Sequence, residues 1–194
     1  MSGAPSLIER SLVEEEEKKG GFLRSAIELV VMFVIILAIT FGITNYVVTP
    51  YQIPSESMTT TILEGDRVLS EKVSYYGGSP EPGQIVTFND VDDEGSVLIK
   101  RCIATAGQTV DLRDGEVYVD GQRLEEPYTQ GRPSYDLESD VTYPHTVAEG
   151  CIWVMGDNRT NSLDSRWFGD VPLENVTGHA FFRYWPIDRI GGME

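Results

Sequence analysis

A mostly antiparallel β fold carried on one membrane-spanning helix is the class that this sequence predicts. Three observations lead there. The run from Leu29 to Val48 is 20 residues long and carries no charge. At roughly 1.5 Å per residue it matches the roughly 30 Å hydrocarbon core of a bilayer. Beyond it, short runs of β-type residues alternate with turn residues, and no long amphipathic helical period follows. Asp120-Gly121 stands between Val117-Tyr118-Val119 and Gln122-Arg123-Leu124, a hairpin signal because a tight primed turn needs positive φ.

The apolar run sets the domain organisation. Residues 1–28 form a tail, 29–48 a transmembrane helix, and 49–194 one extracytoplasmic β-rich domain. A chain of 194 residues with one span leaves room for about one soluble domain. A cleaved signal peptide and a buried core helix are the other readings of such a run. It exceeds the roughly 7–15-residue apolar region of a signal peptide, and no small-x-small cleavage site follows it. Arg10, Lys18, Lys19 and Arg24 precede the run, whereas the first base after it is Arg67. That asymmetry predicts a single-pass protein with its N-terminus in the cytoplasm. Glu14 to Glu17 read as part of a solvated, poorly ordered tail.

The formal net charge is −16, and residues 49–194 hold 25 of the 31 acids against 11 of the 15 lysines and arginines. Nucleic acid is excluded as a partner, because binding it needs a basic surface. The same charge argues against adsorption of the domain to anionic lipid. Contact with the lipid bilayer is expected from the span and from the apolar surface near Tyr51 to Ile53. Cys102 and Cys151 lie in strand-like segments, where a disulfide and two buried thiols both remain open. Neither has zinc-ligand spacing, so no metal and no cofactor are expected.

In order, strands are predicted at Asp66–Glu71, Gln84–Asn89, Ser96–Ala104, Val110–Leu112 and Glu116–Val119. From Glu125 to Glu149 the chain is polar and irregular, with Pro127, Pro133, Pro144 and Gly131, and reads as a variable surface excursion. Strands return at Cys151–Met155 and Gly178–Trp185, around a polar loop from Gly156 to Gly169. The residues after Pro186 read as an exposed tail.

The chemistry centres on Gln52-Ile53-Pro54-Ser55-Glu56-Ser57-Met58, just beyond the span. In an extended segment Ser55 and Ser57 share a face and Glu56 points away, so one hydroxyl can attack while the other donates a hydrogen bond. A serine nucleophile needs a base. His145 and His179 carry no signature linking them to Ser57. Lysine is rare outside the tail, with only Lys72 and Lys100. Lys100 stands in the apolar strand pattern Ser96–Ala104, where burial would favour the neutral amine that a Ser–Lys dyad requires. An exposed edge lysine is the ordinary alternative. In the loop Gly156–Arg166, Arg159 and Arg166 can each grip a carboxylate, with Asp157 and Asp164 the candidates.

Together these segments resemble the type I signal peptidases, membrane-anchored serine endopeptidases that remove signal peptides from exported preproteins. Tyr51–Met58 is similar to that family's Pro-Ser-x-Ser-Met box, Gly65-Asp66-Arg67-Val68-Leu69 to its Gly-Asp block, Lys100-Arg101 to its Lys-Arg pair, and Gly156–Arg166 to its Gly-Asp-Asn-Arg loop. The resemblance implies Ser57 as nucleophile and Lys100 as general base. It implies an oxyanion hole from the Ser57 N–H and the Ser55 hydroxyl, with Ser162 orienting Lys100. Asp157, Asp164, Arg101 and Arg166 become supporting residues. Ile53, Ile62, Leu98 and Ile99 become the lining of shallow pockets for small residues of Ala-x-Ala type. A place in the cytoplasmic (inner) membrane and proximity to the export translocon are further implications.

Thr60, Ala106 and Gln108 depart from the family pattern at loop positions. Two other readings stand beside this one. A Ser–Lys peptidase of the self-cleaving repressor type fits the dyad but not the span or the Gly156–Arg166 block. An inactive tethered module that binds export partners would not need both Ser57 and Lys100.

Overall fold

The computed structural model describes residues 7–91, 93 and 95–193. Helix α1 runs Leu7–Tyr46, 40 residues, and its segment Arg24–Tyr46 is long and apolar enough to cross a membrane. At 1.5 Å per residue this segment is roughly 35 Å long. None of its most apolar window is buried inside the protein, as lipid-facing side chains require. The chain falls into two units, Met1–Ile43 and Thr44–Glu194.

Two features of α1 differ from expectation. The tail expected over 1–28 is helical from Leu7 onward, while its first six residues lie outside the described ones. Glu14 and Glu15 stand four residues before Lys18 and Lys19, in a stretch rich in strong helix formers, and both facts favour helix. The apolar run also outlasts the helix. Val48 already belongs to strand β1 (Val48–Gln52).

The second unit is built from β1, β2 (Arg67–Glu71), β3 (Ile85–Asn89), β4 (Val97–Thr105), β5 (Thr109–Arg113), β6 (Glu116–Val119), β7 (Gln122–Arg123), β8 (His145–Thr146), β9 (Cys151–Met155), β10 (Val171–Pro172), β11 (Val176–Trp185) and β12 (Gly191–Gly192). A short helix α2 (Ser165–Phe168) lies between β9 and β10. One sheet has the order β1-β2-β11-β3-β4-β9-β10, with β12 beside β11, and a smaller one has the order β7-β6-β5-β8. The pairings are antiparallel, so the fold is mostly β as expected.

Turn chemistry explains the small sheet. Asp120 and Gly121 take φ of 52° and 79°, and Asp114 and Gly115 take 51° and 81°. These are the two positive values that a tight primed turn demands. The second turn is the same Asp-Gly signal, which the strand reading passed over.

Three apolar clusters hold the domain together. One joins Ile53, Met58 and Ile62 of the serine segment to Val68, Ile85 and Ile99. A second packs Trp153 and Met155 against Ile103, Val110 and Val117. A third gathers Val86, Phe88, Cys102, Val154 and Val171. Each such aliphatic side chain contributes about 1.5–3 kcal/mol when fully buried. The serine segment is therefore anchored by its own neighbours.

β1 is not among the expected strands; it lies at the sheet edge, where the missing N–H of Pro50 is tolerated. Two surface expectations are corrected. The stretch after Pro186 is not a free tail. Gly191 and Gly192 pair with β11, Met193 is buried, and Arg189 reaches Asp66. The Glu125–Glu149 excursion is partly internal, with Thr129, Ser134 and Val147 buried and His145-Thr146 paired to β5.

Candidate active site

Ser57 is not on an extended strand. After β1 the chain bends, and turns follow in which Glu56 O accepts from Thr59 N while Met58 O accepts from Thr61 N and Ile62 N. Burial of Met58 beneath the turn fixes its depth. The bend still leaves the two serines together, with Ser55 Oγ 3.3 Å from Ser57 Oγ. The shared face was foreseen, but its cause is a bend rather than strand alternation.

Lys100 comes from the middle of β4, opposite Val86 of β3. Its Nζ donates to Ser57 Oγ at 2.6 Å, and the two residues are only 4% and 8% exposed. Burial pushes the Lys100 ammonium down from the ordinary 10.5 to about 8. Asp164, Asp90 and Asp157 partly oppose the shift and Arg166 reinforces it. Removing water penalises the charged form, and the net balance leaves an amine more easily deprotonated than an exposed lysine. In its neutral form this amine can accept the Ser57 proton across the same short contact.

The dyad opens onto a cleft of about 420 Å³ lined by Ser55, Ser57, Leu98, Lys100, Leu163 and Trp167, among others. Of the four pocket residues expected, Leu98 lines this cleft. Ile53, Ile62 and Ile99 are members of the first apolar cluster.

The loop after β9 holds the site from behind. Asn158 N donates to Ser57 O at 3.0 Å, and Asn158 Nδ2 donates to Glu56 O at 3.1 Å. Gly156 lies so close that a Cβ there would strike Ser162 Oγ and the Ser57 carbonyl. Ser162 is buried in this crowd, yet its hydroxyl has no hydrogen-bond partner in the structure. The hydrogen bond expected from Ser162 to Lys100 is thus not formed, although the residue lies against the serine segment.

The supporting charges pair differently from the first reading. Arg101, not Arg159, grips Asp157, with Nε to Oδ1 at 2.9 Å and Nη2 to Oδ2 at 2.7 Å. Thr61 Oγ1 donates to the same carboxylate at 2.5 Å. Arg166 grips Asp164 through Nε at 2.8 Å and Nη2 at 3.0 Å. Asp164 also accepts from Gly156 N at 2.9 Å and caps α2.

Arg159 turns away to Glu126 of the excursion, at 2.8 and 2.5 Å. The Tyr128 ring lies 4.0 Å from the Arg101 guanidinium carbon, and Tyr128 O accepts from Thr60 Oγ1. Glu126, Tyr128 and Asn158 are the residues that sequence reasoning missed. An isolated charge or aromatic in a Pro-containing excursion gives no sign of a partner far along the chain.

The remaining candidates lie elsewhere. His145 Nε2 sits 2.8 Å from Asp170 Oδ1, with its ring 4.7 Å from that of Trp153. Burial lowers the His179 pKa, against an opposing effect of Glu71. Neither lines the dyad's cleft. Cys102 and Cys151 are free thiols, and burial pushes Cys102 up to about 12. Gln108, at a departure from the family pattern, accepts from Thr105 N at 2.9 Å and donates to Asp120 at 3.1 Å. Its amide ties that loop together.

The family described as signal peptidase, peptidase S26, matches residues 26–185. The chain belongs to the signal peptidase S26 family. Among curated proteins this signal peptidase is 42% identical over 170 residues to a probable signal peptidase I-1 of Synechocystis sp., covering 84% of this chain and 82% of that one. It is 34% identical over 217 residues to signal peptidase I of Mycobacterium tuberculosis, covering 84% and 74%. A crystal structure of a signal peptidase I from Enterococcus faecalis is 32% identical, covers 52% of this chain and 95% of that one, and superposes with a TM-score of 0.46. As a signal peptidase the protein is a hydrolase that acts on preproteins bearing signal peptides, and its N-terminal apolar helix fits a membrane-anchored member.

Proposed function

We propose that this signal peptidase cuts by a Ser–Lys dyad through an acyl-enzyme. Neutral Lys100 Nζ takes the Ser57 proton as Oγ bonds to the scissile carbonyl carbon. The resulting oxyanion is stabilised by the Ser57 N–H and the Ser55 hydroxyl. Collapse breaks the C–N bond, and the leaving amine receives the proton from Lys100. Water then attacks the ester, gives a proton to Lys100 and releases the acid, while Ser57 Oγ recovers its proton. Ser162, packed beside the serine segment, restricts the Lys100 side chain. Asp157, Asp164, Arg101 and Arg166 hold the two segments in register.

The observation that carries this reading is the 2.6 Å contact between Lys100 Nζ and Ser57 Oγ, both in buried residues. The substrates are exported preproteins, cut after small residues of Ala-x-Ala type, because a larger side chain would clash beside Leu98. The enzyme sits in the cytoplasmic membrane with its catalytic domain outside and works close to the export translocon. The basic residues before the span support that orientation.

The test is cleavage of a purified preprotein carrying an Ala-x-Ala site by the detergent-solubilised protein, beside Ser57→Ala and Lys100→Ala. Wild type alone should cut at the expected bond. Normal cutting by Lys100→Ala would remove the lysine base.

A further inference from the structure

The dyad's cleft does not end at Trp167. That side chain, 47% exposed, and Phe168 also line a second hollow of about 780 Å³, walled on its far side by Glu138, Asp140 and Thr142 of the excursion. The two hollows meet across one aromatic wall. An elongated substrate in the first can therefore continue into the second. Leu163, 62% exposed, is another large apolar residue lining the first hollow. Exposed aromatic and aliphatic surface at the mouth of a cleft marks a contact surface rather than a fold requirement.

Sheet order decides which end of a substrate lies there. The chain enters the β domain from the apolar helix through β1, at one edge of the large sheet. Lys100 stands on β4, and β9 and β10 form the opposite edge. The second hollow includes Gly169, just before β10, so it belongs to the edge away from β1. The segment of a preprotein preceding its cleaved bond is apolar, like the span whose chain runs on into β1, and is assigned to the β1 end of the cleft. The segment following the bond is assigned to the other end.

We infer that the hollow between Trp167 and residues 138–142 binds the first residues of the mature chain, on the leaving-amine side of the cleaved bond, with Trp167 as the specificity-determining contact. This rests on the dyad reading above. Among the described residues lining the hollow there is no Lys or Arg, while Glu138 and Asp140 are exposed carboxylates on its wall. A substrate with Lys near the start of its mature part is accordingly favoured over one with Glu. The excursion acquires a role in substrate choice.

The experiment uses the full chain in detergent and two peptides with the same Ala-x-Ala acyl part. One ends at the scissile bond as an anilide, and the other continues through several mature-side residues, with Lys or Glu as the second of them. The readout is the ratio of kcat/KM for the long peptide to that for the anilide, so that leaving-group reactivity cancels between proteins. Trp167→Ala should lower that ratio about tenfold, as expected for loss of an aromatic anchor. Glu138→Gln with Asp140→Asn should reduce the Lys-over-Glu preference several-fold. An unchanged ratio in Trp167→Ala, with both peptides still cut by a Ser57-dependent route, overturns the subsite alone. Cleavage that persists in Ser57→Ala overturns the dyad reading and the subsite with it.

Discussion

Arg101 holds Asp157 by two parallel hydrogen bonds of 2.9 and 2.7 Å, with both side chains closed off from solvent. Because Arg101 follows Lys100 on β4 and Asp157 precedes Asn158, which clamps Ser57, this pair ties the base strand to the nucleophile loop. Removing one partner of a buried pair strands the other charge, at a cost of about 3–5 kcal/mol, whereas replacing both by apolar groups costs far less. Asp157→Leu should therefore lower the urea midpoint, read by tryptophan fluorescence, more than Arg101→Met with Asp157→Leu does. Equal losses would mean that the two charges are not coupled.

The proton acceptor sets the pH dependence of turnover. Burial lowers Lys100 to about 8, so kcat/KM should rise roughly in proportion to hydroxide below that value and level off above it. A profile flat from pH 6 to pH 10 would exclude Lys100 as the base.

The same shift bears on stability. Unfolded, the lysine returns to its ordinary 10.5; folded, it sits near 8. Between those values the unfolded chain binds more protons, so stability rises with pH there and is lost as pH falls through about 8. Relative to Lys100→Met, the wild-type protein should gain roughly 3 kcal/mol across this window. A difference between the two proteins that does not vary with pH would mean the amine is not desolvated.

Gly156 leaves no space for a side chain, since a Cβ would overlap Ser162 Oγ and the Ser57 carbonyl. Overpacking of this kind costs about 1–3 kcal/mol, and here the displaced groups belong to the site. Gly156→Ala should lower both the melting temperature and kcat. Full kcat with a lowered melting temperature would separate that loop from catalysis.

Ser162→Ala removes a buried hydroxyl that has no partner, so its stability cost should stay under about 1 kcal/mol. If the hydroxyl guides Lys100 during turnover, kcat should fall more than KM rises. Unchanged kcat would take Ser162 out of the mechanism.

The features legible in the sequence were those written locally. The charge-free run, the Asp-Gly turn and the alternating strands each fit within a window of about twenty residues. The Ser57, Lys100 and Gly156–Arg166 segments could be assigned together only because several ordered blocks resembled one family.

What stayed hidden depends on long-range meeting. Arg159 had Asp157 two residues away as an obvious partner, yet it reaches Glu126 because Arg101 from β4 already occupies Asp157. Ile53, Ile62 and Ile99 were named by the resemblance alone, and nothing local to them shows that they meet in one apolar cluster. The bend at Ser55–Ser57 and the edge strand with Pro50 stayed hidden because tertiary pairing, not propensity, decides them.

The three buried ion pairs, Arg101–Asp157, Arg159–Glu126 and Arg166–Asp164, also limit how this site can change over time. Each charge is tolerable only while its counterpart stands, so a single replacement crosses an unstable intermediate even where the doubly replaced protein would be sound. Rim residues such as Leu163 and Trp167 carry no such obligation. Lineages descending from this chain are therefore free to drift in what they cut while the charges behind the dyad change only in matched steps.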